Sequence, residues 1–95
     1  MLIFDIETDG LLNEVTKIHC LVIQDTKTGR VYSYHGDTLL EGLQKLSNAP
    51  EIGGHNVIAF DIPVLEKLYG FTYEGEVFDT LVASRLIWSN LKEKD

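Results

Sequence analysis

The alternation of apolar and polar residues predicts three β-strands at the start of the chain, at residues 1–7, about 17–25 and about 31–34. The segment between the second and third strands is polar and contains Gly29, which is typical of a hairpin turn. Short links between successive strands favour antiparallel pairing. The first third of the chain is therefore predicted to be a three-stranded antiparallel meander.

The rest of the chain alternates helical and extended patterns. Asp37 or Thr38 is the predicted cap of a first helix, whose apolar stripe consists of Leu39, Leu40, Leu43 and Leu46. A short strand at 51–56 that leads into a turn is predicted next, followed by a helix from about Asp61 or Ile62 to Gly70. An extended piece at 76–78 then precedes a third helix, which Asp79 is predicted to cap. The apolar positions of this third helix are Leu81, Val82, Leu86 and Ile87. This order predicts an α/β fold in which helices pack against a mixed sheet.

Composition limits the class of protein. Ninety-five residues suffice for one small domain, residues 1–95, and no apolar stretch approaches the ~20 residues of a membrane span. The N-terminus lacks the basic region of a signal peptide and Cys20 is the single cysteine, so a cytoplasmic protein without an intrachain disulfide or a membrane partner is expected. Eight basic and fifteen acidic residues give a net charge of −7, which disfavours binding nucleic acid through phosphate contacts alone.

Asp5 and Glu7 end the first predicted strand and are its most informative residues. Because strand side chains alternate, both carboxylates project from one face while Ile6 projects from the other. Two anions on one face repel each other, and Mg²⁺ or Mn²⁺ prefers such oxygen ligands. The pair predicts a metal site. A solvated strand end is the competing interpretation, because Asp9 and Gly10 form a turn signal.

Asp61 lies near the start of the second predicted helix. In one interpretation its carboxylate caps the backbone N–H groups of that helix. In the other, the helix start presents it across the end of the sheet towards Asp5 and Glu7, where three carboxylates would form much of a divalent-metal site. The residues alone leave both interpretations open.

The series Asp5-Ile6-Glu7-Thr8, then His55-Asn56, then Phe60-Asp61 resembles the DEDD 3′–5′ exonucleases, which have a ribonuclease H-like fold. The chain is most similar to the N-terminal proofreading domain of family A DNA polymerases, particularly those of short-tailed phages. The run Phe78-Asp79-Thr80-Leu81-Val82-Ala83-Ser84-Arg85-Leu86 resembles the segment that follows in those enzymes. The resemblance spans essentially the whole chain, and it implies a metal-dependent enzyme that hydrolyses 3′-terminal phosphodiesters of single-stranded DNA.

The same resemblance implies roles for individual residues. Asp5 would bridge two Mg²⁺ or Mn²⁺ ions, and Glu7 and Asp61 would complete part of their shells. Two such ions activate a water molecule and stabilise the leaving 3′ oxygen.

The implied substrate contacts are those of Thr8 with the terminal nucleotide, Leu11 with the last bases and Asn56 with the substrate backbone. Core packing is the competing interpretation for Leu11, and a turn-forming role is the competing one for Asn56.

The sequence departs from the family near its C-terminus. The family uses a fourth carboxylate on a later helix, with a Tyr or His four residues before it. Here Gly75 stands four residues before Asp79, and Leu91 stands four residues before Asp95. We therefore expect a partial exonuclease domain, incomplete at its C-terminus, that is weak or inactive alone. The remainder of a DNA polymerase, in the same chain or a separate one, is the expected partner.

Two other functions fit the sequence. One is a catalytically incomplete module that binds nucleic acid or docks to a polymerase. The other is an RNA-directed DEDD exonuclease, against which only the polymerase resemblance argues. A homodimer is a further expectation, because an incomplete core would expose apolar residues such as Leu86, Ile87 and Trp88.

Overall fold

Residues 1–85 are the part of the chain that the computed structural model describes. The elements, in chain order, are β1 (Leu2–Thr8), β2 (Ile18–Asp25), β3 (Val31–Tyr34), a 3₁₀ turn (Gly36–Thr38), α1 (Leu39–Asn48), β4 (Glu51–Gly54), a π-turn (Val57–Asp61), α2 (Ile62–Tyr69) and β5 (Glu76–Asp79). A third helix, α3, follows β5, and residues 80–85 belong to it. The predicted apolar positions Leu86 and Ile87, and Trp88, lie outside the described residues.

The five strands form one mixed sheet in the order β3-β2-β1-β4-β5. β1 pairs antiparallel with β2, and β2 with β3, so the predicted meander is confirmed. β4 then pairs parallel with both β1 and β5, as the crossover through α1 requires. β1 is therefore the central strand, paired along its length with β2 and at Leu2 and Ile3 with β4.

The core lies on one face of this sheet. Along β1, Leu2, Phe4 and Ile6 are buried and the residues between them are exposed, as the alternating pattern predicts. α1 packs against β2 and β3, and its approach depends on Gly42. A Cβ atom at Gly42 would lie only 2.7 Å from a side-chain atom of Leu21 and from another of Tyr34. The opposite face of β1 is the one that carries the acidic residues.

Three predicted details need correction or addition. Thr38 stands at the N-cap position of α1, as one of the two predicted caps, but its side chain does not cap the helix, because its hydroxyl instead donates to the carbonyl oxygen of His35 at 2.9 Å. Asp37 lies within the 3₁₀ turn that precedes the helix. Leu40 is 65% exposed and does not belong to the buried stripe, because it stands about 100° around the helix from Leu39. The π-turn before α2 was not predicted. No helix within residues 1–85 has both the length and the apolar character that a membrane span requires.

Candidate functional site

Asp5 and Glu7 lie at the carboxyl end of β1, and both are exposed on the sheet face opposite the core. On β2, Val22 stands opposite Asp5 and Cys20 opposite Glu7. The pairing register shifts immediately after Glu7, so regular pairing ends where the acidic residues end. The prediction that the two carboxylates share one face is confirmed.

Asp61 is the last residue of the π-turn, and it is only 3% exposed. Its Oδ2 accepts a hydrogen bond of 3.1 Å from the backbone N–H of Ile6, which lies between Asp5 and Glu7 in β1. Asp61 makes no side-chain hydrogen bond to the N–H groups of α2. The helix-cap interpretation is therefore wrong, and Asp61 is directed towards the end of β1 as the alternative interpretation requires.

The environment of Asp61 opposes its charge. Burial raises the pKa of Asp61 from its ordinary value near 3.8 to about 7, against the lowering effect of the Ile6 N–H group. The negative charges of Asp5 and, to a smaller extent, Asp79 raise that pKa further. One hydrogen bond does not replace the water that a buried carboxylate has lost. A cation bound beside Asp5 and Asp61 would favour the ionised form of both.

The carboxylates do not by themselves complete a metal centre within the described part of the chain. Among residues 1–85, no three His, Cys, Asp or Glu side chains converge closely enough to hold one ion. Successive residues on one strand face are about 6.6 Å apart, which separates Asp5 from Glu7. The oxygen chemistry of Asp5 and Asp61 suits Mg²⁺ or Mn²⁺, and further donors have to come from elsewhere. The metal-ligand roles of Asp5, Glu7 and Asp61 thus stay a prediction.

Thr8 and Leu11 lie where β1 leads into the loop before β2. The Thr8 hydroxyl donates a hydrogen bond of 2.8 Å to the carbonyl oxygen of Gly10 and so shapes the loop. Leu11 is 69% exposed, so the core-packing interpretation is wrong and its apolar side chain is open to a ligand. Contact of either residue with a nucleotide stays a prediction.

Asp9 fixes the far end of the same loop. Its carboxylate accepts hydrogen bonds from the hydroxyl of Thr16, from the backbone N–H of Thr16 at 2.9 Å and from that of Lys17 at 3.2 Å. These donors, the Thr16 hydroxyl foremost, hold the pKa of Asp9 well below its usual range. The loop that exposes Leu11 is therefore tied back to the start of β2.

Asn56 has a turn-forming role, which was one of its two interpretations. Its φ of 62° is in the left-handed region, where no other non-glycine residue within residues 1–85 is found. Asparagine tolerates this conformation better than most residues, at a cost of about 1 kcal/mol. Asn56 directly precedes the π-turn, so its backbone sets the direction in which the chain enters the turn.

Asp79 is the predicted cap of α3, and this is confirmed. Its Oδ1 accepts hydrogen bonds from the backbone N–H groups of Leu81 at 2.9 Å and Val82 at 3.4 Å. The same carboxylate also accepts from Asn56 and Ile58, which lie 23 and 21 residues earlier. These two contacts were missed, and no local pattern indicates hydrogen bonds between residues so far apart. Although burial raises the pKa of Asp79, its four backbone donors together hold that pKa below the usual range.

Two of the cavities along β1 differ in their relation to the acidic residues. One of about 480 Å³ lies beside the middle of β1, and Asp5, Val22 and His55 line part of it, whereas Glu7 and Asp61 do not. Its size is within the range of small-ligand sites. The other, of about 420 Å³, lies at the start of β1 between Met1 and Lys45, and none of Asp5, Glu7 and Asp61 lines it. We assign the candidate site to the end of β1 that bears these three carboxylates, which the first cavity adjoins through Asp5.

Comparison with known structures identifies the class of fold. The structure is similar to the family B DNA polymerase from the hyperthermophilic archaeon Pyrobaculum calidifontis, with a TM-score of 0.55 and 20% sequence identity. The match covers 70% of this chain and 10% of that one. The chain has a ribonuclease H-like α/β fold, built on a five-stranded mixed sheet. At this identity the likeness shows the fold alone.

Sequence comparison points to particular proteins. The chain is 41% identical to the DNA-directed DNA polymerase of Enterobacteria phage T3 and 40% identical to that of Escherichia phage T7, over 106 aligned positions in each case. Both alignments cover the whole chain and 15% of the polymerase. No protein-family model matches the chain. The chain therefore spans about 15% of the length of these relatives and is similar to one part of a DNA polymerase.

Proposed function

We propose that the chain forms part of the 3′–5′ proofreading exonuclease of a DNA polymerase, which hydrolyses 3′-terminal phosphodiesters of single-stranded DNA. The observation that carries this proposal is the buried carboxylate of Asp61, whose pKa rises to about 7 at the end of the strand that bears Asp5 and Glu7. A buried anion with too few partners favours cation binding. The similarity to DNA-directed DNA polymerases supports DNA as the substrate.

In this proposal Asp5, Glu7 and Asp61 hold two Mg²⁺ or Mn²⁺ ions. When bound, such ions activate a water molecule and stabilise the leaving 3′ oxygen. Asp5 and Glu7 contribute exposed carboxylates from a rigid central strand. Asp61 contributes a carboxylate whose position is fixed by the N–H group of Ile6.

Three further residues would bind the DNA end. Leu11, whose side chain is 69% exposed, would pack against the terminal bases, and such stacking or apolar contact tolerates any sequence. Thr8 would contact the terminal nucleotide from the start of the same loop. Asn56 would contact the substrate backbone from the left-handed turn beside Asp61.

The rest of a DNA polymerase would supply the remaining ligands and most of the affinity for DNA. This follows from the net charge of −7, which gives the chain little attraction for phosphates. That part would belong to the same polypeptide or to a second one. Such an enzyme would act in the cytoplasm of the host cell.

The test is release of 3′-terminal nucleotides from 5′-labelled single-stranded DNA by the purified chain, with Mg²⁺, with Mn²⁺ and with EDTA. We expect at most a weak metal-dependent rate from the chain alone, because the rest of a polymerase would supply the remaining ligands. Asp5→Asn should lower any such rate by at least about 100-fold, because a ligand of the catalytic ions is lost. Asp37→Asn is the matched control, since Asp37 is an exposed aspartate in the 3₁₀ turn after β3. A metal-dependent rate that is equal in wild type and Asp5→Asn would contradict the proposal, and labelled RNA run beside the DNA tests the RNA-directed alternative.

A second candidate is a catalytically incomplete module that binds nucleic acid or docks to a polymerase. It is favoured by the finding that no three potential ligands converge within residues 1–85. Its signature would be Mn²⁺ binding that requires Asp5 but gives no nucleotide release. Turnover by the chain alone would exclude it, and light scattering on the same sample would tell whether a dimer completes the site.

A further inference from the structure

The carboxylate of Asp79 is saturated with backbone donors and connects two separate segments. It lies at the end of β5, is 4% exposed, and accepts four backbone N–H groups. Two of these donors, Leu81 and Val82, belong to the first turn of α3. The other two are Asn56, directly before the π-turn, and Ile58, the second residue of that turn, and both donate at 2.9 Å. Capping of α3 accounts for only half of these contacts.

The two carboxylate oxygens of Asp79 have different partners. Oδ1 accepts from Asn56 and from both N–H groups of α3, whereas Oδ2 accepts from Ile58 alone. The neighbouring residue Thr80 adds a second link to the same segment, because its hydroxyl lies 2.9 Å from Nδ1 of His55. The start of α3 is thus attached at several points to the residues immediately before and at the start of the π-turn.

The π-turn begins directly beside these attachments and ends at Asp61. Within it, the N–H of Phe60 donates to the carbonyl oxygen of Asn56 at 3.1 Å. Asn56 has the left-handed backbone conformation, and its N–H is one of those that Asp79 accepts. A change in the position of Asn56 or Ile58 would therefore be transmitted along one short turn to Asp61 and to its hydrogen bond with Ile6.

We infer that Asp79 is a positioning residue, which clamps the segment 56–58 to the start of α3 and thereby holds Asp61 against the N–H of Ile6 and beside Asp5. Its consequence for metal binding rests on the proposed function. Its consequence for the placement of Asp61 does not, because the hydrogen bond between Asp61 and Ile6 joins two groups of the chain itself.

Asp79→Ser separates the two roles. A serine is a good helix cap but its side chain is too short to reach both segments, so α3 keeps its cap while Asn56 and Ile58 lose their acceptor. Asp79→Asn is the second variant: it retains one acceptor oxygen and places an amide donor against the N–H of Ile58. Thr38→Ala is the control, because it removes side chain–backbone hydrogen bonds at the 3₁₀ turn, on another part of the molecule.

The first readout is the ratio of two hydrogen-exchange rates in EDTA: that of the Ile6 amide and that of the amides hydrogen-bonded between β2 and β3. We expect exchange at Ile6 to become at least about 5-fold faster in Asp79→Ser and Asp79→Asn, with the ladder amides changed far less. Thr38→Ala should leave this ratio as in the wild type. A ratio that is unchanged in both Asp79 variants would overturn the inference, as would a uniform change at all amides, since that is the result of general destabilisation.

The second readout is the affinity for Mn²⁺ alone, measured by electron paramagnetic resonance. We expect Asp79→Asn to weaken binding by about 10-fold, the size typical of losing a group that orients a ligand, and Asp61→Asn to weaken it more. Failure of the wild type to bind Mn²⁺ would contradict the proposed function, while the exchange at Ile6 would still decide the role of Asp79. Tight binding in Asp79→Asn together with weak binding in Asp61→Asn would contradict the role of Asp79 alone.

Discussion

Asp61 and Asp79 lie at the same end of the sheet and are both buried, but their pKa values are shifted in opposite directions. They are 3% and 4% exposed. Asp61 accepts one backbone N–H group and its pKa rises to about 7, whereas Asp79 accepts four and its pKa falls below the usual range. Burial raises the pKa of both carboxylates, and the four donors of Asp79 outweigh it whereas the single donor of Asp61 does not.

The free energies of burial and of hydrogen bonding explain why the two pKa values shift in opposite directions. Burying a carboxylate costs several kcal/mol, and a hydrogen bond to a charged group contributes about 1.5–3 kcal/mol. Four such bonds offset the burial of Asp79, and one does not offset that of Asp61. The charge of Asp79 is therefore stabilised by hydrogen bonds within the protein. Asp61 lacks partners for its charge, which is the property expected of a residue that binds a cation.

The largest effect we expect is the pH dependence of stability due to Asp61 in the absence of metal. Because its pKa is raised from near 3.8 to about 7 on folding, its favourable contribution is fully present below pH 4 and is lost as the pH rises through 7. The loss amounts to at most about 4 kcal/mol. Urea unfolding in EDTA between pH 4 and 8 should show this fall in the wild type and a flatter profile in Asp61→Asn. Parallel profiles would mean that Asp61 is not the group whose raised pKa causes the fall in stability.

The next effect concerns Asp79 and has the opposite sign with pH. Asp79→Ala should lower the free energy of unfolding by about 3 kcal/mol at pH 7, because buried N–H donors lose their acceptor. Since the pKa of Asp79 is lowered on folding, its contribution is present above the ordinary pKa of a carboxyl and disappears as the pH falls through the folded value. The difference from wild type should therefore shrink on acidification. Asp37→Ala, at an exposed aspartate, should stay within about 0.5 kcal/mol of wild type.

The smallest effect tests the coupling between Asp5 and Asp61. Removing the negative charge in Asp5→Asn should lower the pKa of Asp61, because that charge is one of the groups that raise it. Burial is the larger cause, so we expect a stability gain of about 1 kcal/mol or less at pH 8. Carboxyl ¹³C titration by NMR would measure the pKa directly. Glu7→Gln, which removes an equal charge two residues further along, should change it less; an equal shift in both variants would refute a specific pairing with Asp5.

The sequence predicts the local parts of this structure well and the long-range parts poorly. β2 and β3 lie within a residue of their predicted positions, and the common face of Asp5 and Glu7 follows from the period of a strand. Leu40 was misplaced because four leucines close together do not show where the stripe ends. The second role of Asp79 depends on hydrogen bonds spanning more than 20 residues, and no pattern within one element contains them.

The same difference between local and long-range interactions explains which features of the candidate site could be predicted from the sequence. Asp5, Glu7 and Asp61 were identified by residue type and order, but only the structure gives the bond from Ile6 that excludes the helix-cap interpretation for Asp61. Leu11 was equally compatible with the core and with the surface, because a single leucine in a loop has no periodic context. Its exposure of 69% decides between them.

The bond between Ile6 and Asp61 spans 55 residues, and this separation sets the order in which the site is made. At translation rates of about 5–20 residues per second, Asp61 emerges from the ribosome roughly 3–11 s after Ile6. The β1–β2–β3 meander closes only short loops and forms within microseconds to milliseconds once its residues are free. The nascent chain therefore displays Asp5 and Glu7 on the meander before Asp61 exists, and the three carboxylates come together only when the second half of the chain has been synthesised and docked.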